Sequence, residues 1–244
     1  MKLEGSNVLL TGANRGIGRA FLDELLRRNV GKIYAGVRSL NSNDLPADPR
    51  IVPVQLDLAD PDSIEAAAAQ VPDVNVLINN AGFAGHTGAL GAPDMDAARR
   101  EMEVNYFGPL HLTRALCDTA LVSSSGAIVN VGSLGAYVTL PKDGTYCASK
   151  AANLAVTRTI RAELKGRGTR VIAVLPPQVD TQMVADQPGP RIRPEEVAIE
   201  ALDAVESGLD EVFPGERGKT VFAAFRADPE AVQAKMDEER VTPF

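Results

Sequence analysis

A tyrosine and a lysine four residues apart, in Gly144-Thr145-Tyr146-Cys147-Ala148-Ser149-Lys150, are the pair in this chain best suited to moving a proton. Their Ala-containing surroundings favour a helix, and this spacing puts both side chains on one helical face. An ammonium near a phenol favours the phenolate, so the lysine is expected to draw the phenol down from its usual value of about 10 toward neutrality. Tyr146 is therefore a candidate general acid/base. The same spacing also occurs on solvated helix surfaces, so the residues upstream have to decide between the two readings.

Upstream, Val8-Leu9-Leu10 reads as a short buried strand. Thr11-Gly12-Ala13-Asn14-Arg15-Gly16-Ile17-Gly18 and an amphipathic run from Arg19 to Arg28 follow it directly. Strand, glycine turn and helix is a dinucleotide-binding order. Glycines at 12, 16 and 18 let the backbone turn tightly and approach a pyrophosphate, whose charge the N–H groups of the following helix would receive. A glycine-rich stretch can also be a plain loop, but its place after a first strand argues against that.

These two motifs are joined in order by Asp57-Leu58, by Asn79-Asn80-Ala81-Gly82, by Asn105 in Val104-Asn105-Tyr106-Phe107-Gly108, and by Ser133 thirteen residues before Tyr146. Over nearly its whole length the chain resembles the short-chain dehydrogenase/reductase (SDR) family. The resemblance implies an α/β fold: a Rossmann-type doubly wound parallel sheet of about seven strands with helices on both faces, three-layer α/β/α, in a single domain over 1–244. It also implies that Tyr146 exchanges the proton and that Lys150 biases the phenol and binds the nicotinamide ribose. Ser133 would stabilise the developing oxyanion, and Asn105, at a helix bend, would hold a water linking Lys150 to solvent. The implied cofactor contacts are Gly12, Asn14, Arg15, Gly16, Ile17 and Gly18 in the first turn, Asp57 and Leu58 at the adenine, and Asn79, Ala81 and Gly82 beside the ribose. Pro176, Val179 and Thr181 would meet the nicotinamide. Pro177 stands where the family usually has glycine, which removes a backbone donor there.

The strand end Gly36-Val37-Arg38-Ser39 lacks the acidic residue that would bind free ribose hydroxyls, and Arg15 and Arg38 can converge on a 2′-phosphate. NADP(H) is the expected cofactor and NAD(H) the alternative. Phe83, Leu134, Tyr137 and Met183 lie on loops expected to shape the substrate pocket, with 178–193 covering it; apart from Lys150, no lysine or arginine is expected there. The expected substrate is a small or medium, largely apolar ketone or aldehyde, reduced reversibly to an alcohol by a carbonyl reductase or alcohol dehydrogenase. The other readings are an NAD(H)-dependent secondary-alcohol dehydrogenase and a non-catalytic dinucleotide-binding sensor. His86, after the Asn-Asn-Ala-Gly turn, either lines the substrate mouth or is an exposed loop residue.

Apolar runs near Val8–Leu10, Lys32–Gly36, Ile51–Gln55, Val74–Ile78, Ala127–Val131, Arg170–Leu175 and Glu211–Phe213 read as the strands that position these groups. Helical patterns fall near Gly16–Arg28, Pro61–Gln70, Met95–Arg100 into Asn105–Leu121, Thr145–Lys165 and Pro194–Ser207. The stretch 214–244 departs from the family pattern, with a polar run from Pro229 to Arg240 able to form a helix. Ala148, Ala151, Ala152 and Ala155 form a stripe through which a homodimer or homotetramer could pair.

The 244 residues are 45% hydrophobic, yet no apolar run approaches the roughly 20 residues of a membrane span. With no signal-like N-terminus, a cytoplasmic location without membrane contact is expected. A net charge of −7 gives no basic footprint for nucleic acid. Cys117, Cys147, His86 and His111 are too few and too scattered to suggest a disulfide framework or a metal site.

Overall fold

The computed structural model describes residues 1–40, 44–123 and 125–238. In chain order the elements are β1 (Asn7–Thr11), α1 (Gly16–Arg27), β2 (Lys32–Val37), β3 (Ile51–Gln55), α2 (Pro61–Ala69), β4 (Val76–Asn79) and α3 (Asp96–Met102). A π-helical turn, Glu103–Phe107, leads into α4 (Gly108–Ala115) and β5 (Ala127–Val131). Then come α5 (Gly144–Glu163), β6 (Arg170–Val174), α6 (Pro194–Ser207), β7 (Glu211–Val212), α7 (Gly215–Ala227) and α8 (Pro229–Asp237).

Successive side chains of a strand point to opposite faces, and these strands are apolar on both. Val8 and Leu10 of β1 enter the cluster formed with Phe21 and Leu25 of α1 and Val197 and Leu202 of α6. Leu9 enters the opposite cluster, with Ile64 of α2, Leu112 of α4 and Ile160 of α5. A sheet buried on both faces needs helical crossovers, which make its strands parallel. The seven strands are accordingly all parallel, in the order β3-β2-β1-β4-β5-β6-β7. The chain runs outward from β1 in one direction and from β4 in the other, so a crevice opens at the carboxyl ends of these two strands.

Local chemistry sets the element ends. Asp60 caps α2 by accepting from the N–H of Asp62, and Pro61 occupies a helical position where its missing N–H costs nothing. Helices α3 and α4 form one run from Asp96 to Ala115 through the π turn. The run ends six residues short of the expected Leu121. Helix α7 lies in the stretch read as departing from the family pattern. Gly218 allows close packing there, since a Cβ would stand 3.0 Å from the carbonyl of Phe213. Helix α8 matches the helical reading of the polar tail up to Asp237; Arg240 lies outside the described residues, as does part of the surface connection after Leu40.

Among the described residues no helix is long and apolar enough to cross a membrane, and no group of three or more His, Cys, Asp or Glu could hold a metal ion.

Gly108 joins the helical run to the segment after β3, where a Cβ would fall 2.3 Å from the carbonyl oxygen of Leu58. Gly108→Ala should therefore destabilise the fold by about 1–3 kcal/mol, seen as a melting temperature lower by several degrees. An unchanged melting temperature would mean that this contact gives way freely.

Candidate active site

The crevice is built from the ends of β1 and β4. The Thr11 hydroxyl accepts from the backbone N–H of Asn80 at 3.0 Å and of Ala81 at 2.9 Å. In return the Asn80 side-chain amide donates to the carbonyls of Thr11 at 2.9 Å and Gly12 at 3.3 Å. These bonds lock the first glycine turn against the Asn-Asn-Ala-Gly turn. Gly12 and Gly16 have φ of +68° and +52°, which glycine tolerates without strain. At Gly18 a Cβ would collide with the Gly12 carbonyl at 1.9 Å, so the loop closes tightly enough to exclude any side chain.

The first N–H groups of α1 carry no side-chain cap from Arg15, the residue preceding the helix, whose guanidinium instead donates to Gln182 Oε1 at 3.1 Å. Asn14 reaches Asp44 at 3.5 Å. Thr181 stands over the loop, because a Cβ on Gly16 would meet its methyl at 3.1 Å. Ile17 is half-buried against the core. Arg38 is exposed and makes no ion pair among the described residues.

At the other wall, α5 places Lys150 in the interior with 4% of its surface exposed. Its Nζ donates to the Val131 carbonyl at the end of β5, 3.1 Å away, and lies 5.7 Å from the centre of the Tyr146 ring. Burial lowers the ammonium from its usual 10.5 to about 8. Burial acts in the same direction on Tyr146, disfavouring the charged form, and pushes the phenol above its ordinary value. A hydrogen bond with the Ser133 hydroxyl opposes this, while the negative fields of Asp143 and Glu101 add to it. The expected lowering of the phenol by Lys150 is thus reversed, because desolvation is the largest influence on it. Ser133 sits at the turn after β5 and also accepts from the N–H of Gly135 at 3.0 Å.

Asn105 lies in the π turn, fully buried. Its Oδ1 accepts from the Phe83 N–H at 2.9 Å, and its amide donates to the Phe83 carbonyl at 2.8 Å and to Ser149 Oγ at 2.9 Å. Gly82 sits between Asn105 and Lys150, where a Cβ would be 3.3 Å from Asn105 Oδ1 and 3.5 Å from Lys150 Nζ.

Beneath these groups runs a buried polar chain that the sequence did not reveal. Asn79 donates to Asn130 Oδ1, Asn130 to Thr157 Oγ1, and Thr157 to the Asn153 carbonyl, at 2.7–2.8 Å. Asn153 then donates to the main-chain carbonyl of Asn105 at 2.9 Å.

Several expected contacts change accordingly. The Asn79 side chain points into this network, and Asn80 ties the two turns together in its place. Leu58 is buried with Ile64 and Leu112, which leaves its backbone and Asp57 to face an adenine. The Val179 side chain is buried in the core, and a bridge to Ile192 uses the Gln178 carbonyl and Asp180 N–H. In that pairing the N–H and C=O of Val179 itself face the other way. The Pro176 carbonyl accepts from the N–H of Leu134 at 2.9 Å.

Tyr137, expected on the substrate wall, is half-buried beside residues from the end of the chain. It packs among Phe213, Phe222 and Phe225, and its hydroxyl meets Glu211 and Arg158. The Arg100 guanidinium lies 4.9 Å from the Phe83 ring, a cation on the expected pocket wall that the sequence did not place there. Glu101, fully buried, uses one carboxylate oxygen on the Gly85 N–H at 2.8 Å. Its other oxygen has no partner among the described residues.

The family model for short chain dehydrogenase matches residues 6–190. The chain is 33% identical over 194 residues to dehydrogenase/reductase SDR family member 7B of Mus musculus, a match covering 74% of this chain and 60% of the mouse protein. It therefore spans less than two thirds of that relative's length. A solved short chain dehydrogenase from Burkholderia cenocepacia J2315, in complex with NADP, is 42% identical with a TM-score of 0.90 over 100% of both chains. The NADPH-bound carbonyl reductase from chicken fatty liver is 28% identical with a TM-score of 0.76, covering 85% of this chain and 93% of that one. This chain belongs to the short-chain dehydrogenase/reductase family.

The lowered Lys150 value has a stability signature. A folded-state value below the unfolded one contributes stability that is full above the unfolded value, about 10.5, and is lost as pH falls through the folded value, about 8. The difference in unfolding free energy between wild type and Lys150→Met, from urea titrations, should rise between pH 8 and 10 by at most about 1.4 kcal/mol per pH unit. A flat or falling difference would contradict the burial of a strained ammonium.

Proposed function

We propose that the protein is an NADP(H)-dependent carbonyl reductase that converts a small or medium, largely apolar ketone or aldehyde to its alcohol, reversibly. The observation that carries this reading is the convergence of the Tyr146 phenol, the Ser133 hydroxyl and the buried Lys150 ammonium at the mouth of the β1/β4 crevice.

The crevice suits a dinucleotide. Free N–H groups at the start of α1 face the glycine turn, two of the three Lys150 donors are left over after Val131, and Gly82 keeps the space beside them clear. The outward N–H and C=O of Val179 form a donor and acceptor pair matched to a carboxamide. When bound, the cofactor supplies a hydride to the carbonyl carbon.

The chain's own residues do the rest. Burial keeps the phenol of Tyr146 protonated, so it can donate to the carbonyl oxygen as negative charge develops there. Ser133 donates a hydrogen bond to the same oxygen and strengthens with that charge. Lys150 stabilises the phenolate left behind, and Asn105, held by Phe83 and Ser149, keeps the π turn open beside Lys150. Arg38, exposed and unpaired among the described residues, is available to a 2′-phosphate, with Arg15 nearby in sequence to the helix start. The NADP and NADPH held by the two solved relatives support the same preference. Glu101 and Asp143 make the phenol's surroundings negative, which favours neutral substrates over carboxylates. Homodimer formation is in keeping with the exposure of Phe107, Ala148, Ala151 and Ala155 on the long helices.

Tyr146→Phe removes only the hydroxyl, so NADPH should still bind, as read by fluorescence titration, while kcat falls at least about 10²-fold. Near-normal turnover would sink the proposed role. Arg38→Asp replaces a cation by an anion and should raise the KM for NADPH at least tenfold while improving use of NADH. A wild type that already prefers NADH would refute the choice of cofactor.

A further inference from the structure

His86 has a backbone φ of +54°, in the left-handed region that residues other than glycine seldom occupy. Such conformations persist where the surroundings over-determine them. Around His86 the surroundings come from two separate parts of the chain. Its Nδ1 lies 2.8 Å from Asp143 Oδ1, and Asp143 is the residue that precedes α5, three positions before Tyr146. Its Nε2 donates to the carbonyl oxygen of Met183 at 2.8 Å, and the side-chain amide of Gln187 also lies 2.7 Å from Nδ1. Nδ1 donates to Asp143 when it carries a hydrogen and accepts from Gln187 when it does not, so the bridge to Asp143 uses the ring with a hydrogen on both nitrogens.

Met183 and Gln187 belong to the segment 178–193, which is a preassembled body. The Arg191 guanidinium donates to the carbonyls of Val184, Ala185 and Gln187 at 2.7–3.0 Å and pairs with Asp180 at 3.0 Å. The segment is anchored at its base by the Val179–Ile192 bridge. A unit that is stiff inside is placed by what grips it: Arg15 holds Gln182 on the side of the glycine turn, and His86 makes the grip on the substrate side.

We propose that His86 is a positioning residue: its imidazole fastens the 178–193 segment to Asp143 at the start of α5 and so sets the shape of the substrate pocket over Tyr146. The proposal rests on the reductase reading above for its kinetic consequences, but the grip itself can be read without turnover. The ring touches neither hydride nor proton path, so losing it should weaken carbonyl binding more than chemistry.

The test uses the full chain with His86→Asn, because asparagine tolerates the left-handed backbone while its short side chain cannot span Asp143 and Met183. Hydrogen exchange of amides 182–187 should quicken at least tenfold with the sheet unchanged. The KM for a neutral ketone should rise about tenfold, with kcat and the KM for NADPH within about twofold of wild type. Gln187→Ala, which cuts the same grip from the segment's side, should reproduce the exchange change. Unchanged exchange at 182–187 in both variants would overturn the proposal, and so would a kcat loss at constant KM. If wild type reduces no carbonyl, the reductase reading fails while the exchange result still decides the grip.

Discussion

Lys150 is an ammonium in the protein interior with one hydrogen-bond acceptor among the described residues, the Val131 carbonyl at the end of β5, and the arrangement of the candidate site follows from accommodating it. Taking that charge out of water is costly, and the molecule answers by lowering its proton affinity rather than by pairing it with a carboxylate. Desolvation also raises the Tyr146 phenol above its ordinary value. Under the reductase reading proposed above, the two groups would serve opposite ends of one event, a phenol that holds its proton until an oxyanion forms and an ammonium that gains when a phenolate appears. Ser133 and the glycine at 82 complete the setting, one by offering a hydroxyl and the other by staying out of the way.

Holding such a group requires a rigid floor. The chain from Asn79 through Asn130, Thr157 and Asn153 to the Asn105 carbonyl joins β4, β5, α5 and the π turn below the reacting groups. Buried polar groups left unpaired destabilise a fold, and this chain pairs all its members through at least one bond, leaving Asn79 Oδ1 without a partner among the described residues, while fixing the relative heights of the elements it links. The π turn puts Asn105 where one side chain can grip the Phe83 backbone and Ser149 together. On the cofactor side, Thr11 and Asn80 do the corresponding work between β1 and β4.

The strands along the chain and the glycine turn were legible because both are local: runs of apolar residues, and glycines where no Cβ fits. Tyr146 and Lys150 could be picked out by helical spacing, whereas Ser133 was marked by the family resemblance. What spacing cannot give is the balance between desolvation and charge at Tyr146, which depends on how much protein surrounds the ring. Nor can it say which of two adjacent asparagines turns inward; Asn79 enters the buried chain, and Asn80, given no role by the sequence, ties the two turns together. The ring neighbours of Tyr137, Phe222 and Phe225 of α7, come from a helix that the sequence did not mark, so this packing was not legible. Arg100 owes its place beside Phe83 to the fold, and the place of His86 after the Asn-Asn-Ala-Gly turn could suggest the substrate mouth but not its contacts with Asp143 and Met183.

The central claim is that the Tyr146, Ser133 and Lys150 cluster reduces neutral carbonyls with NADPH, and the most direct measurement follows absorbance at about 340 nm across a panel of ketones, aldehydes and 2-keto acids. The account predicts carbonyl-dependent consumption of NADPH, slower consumption of NADH, and a higher kcat/KM for neutral ketones than for keto acids of the same size. Absence of consumption with every carbonyl, or faster turnover of the keto acids through the cation at Arg100, would contradict it.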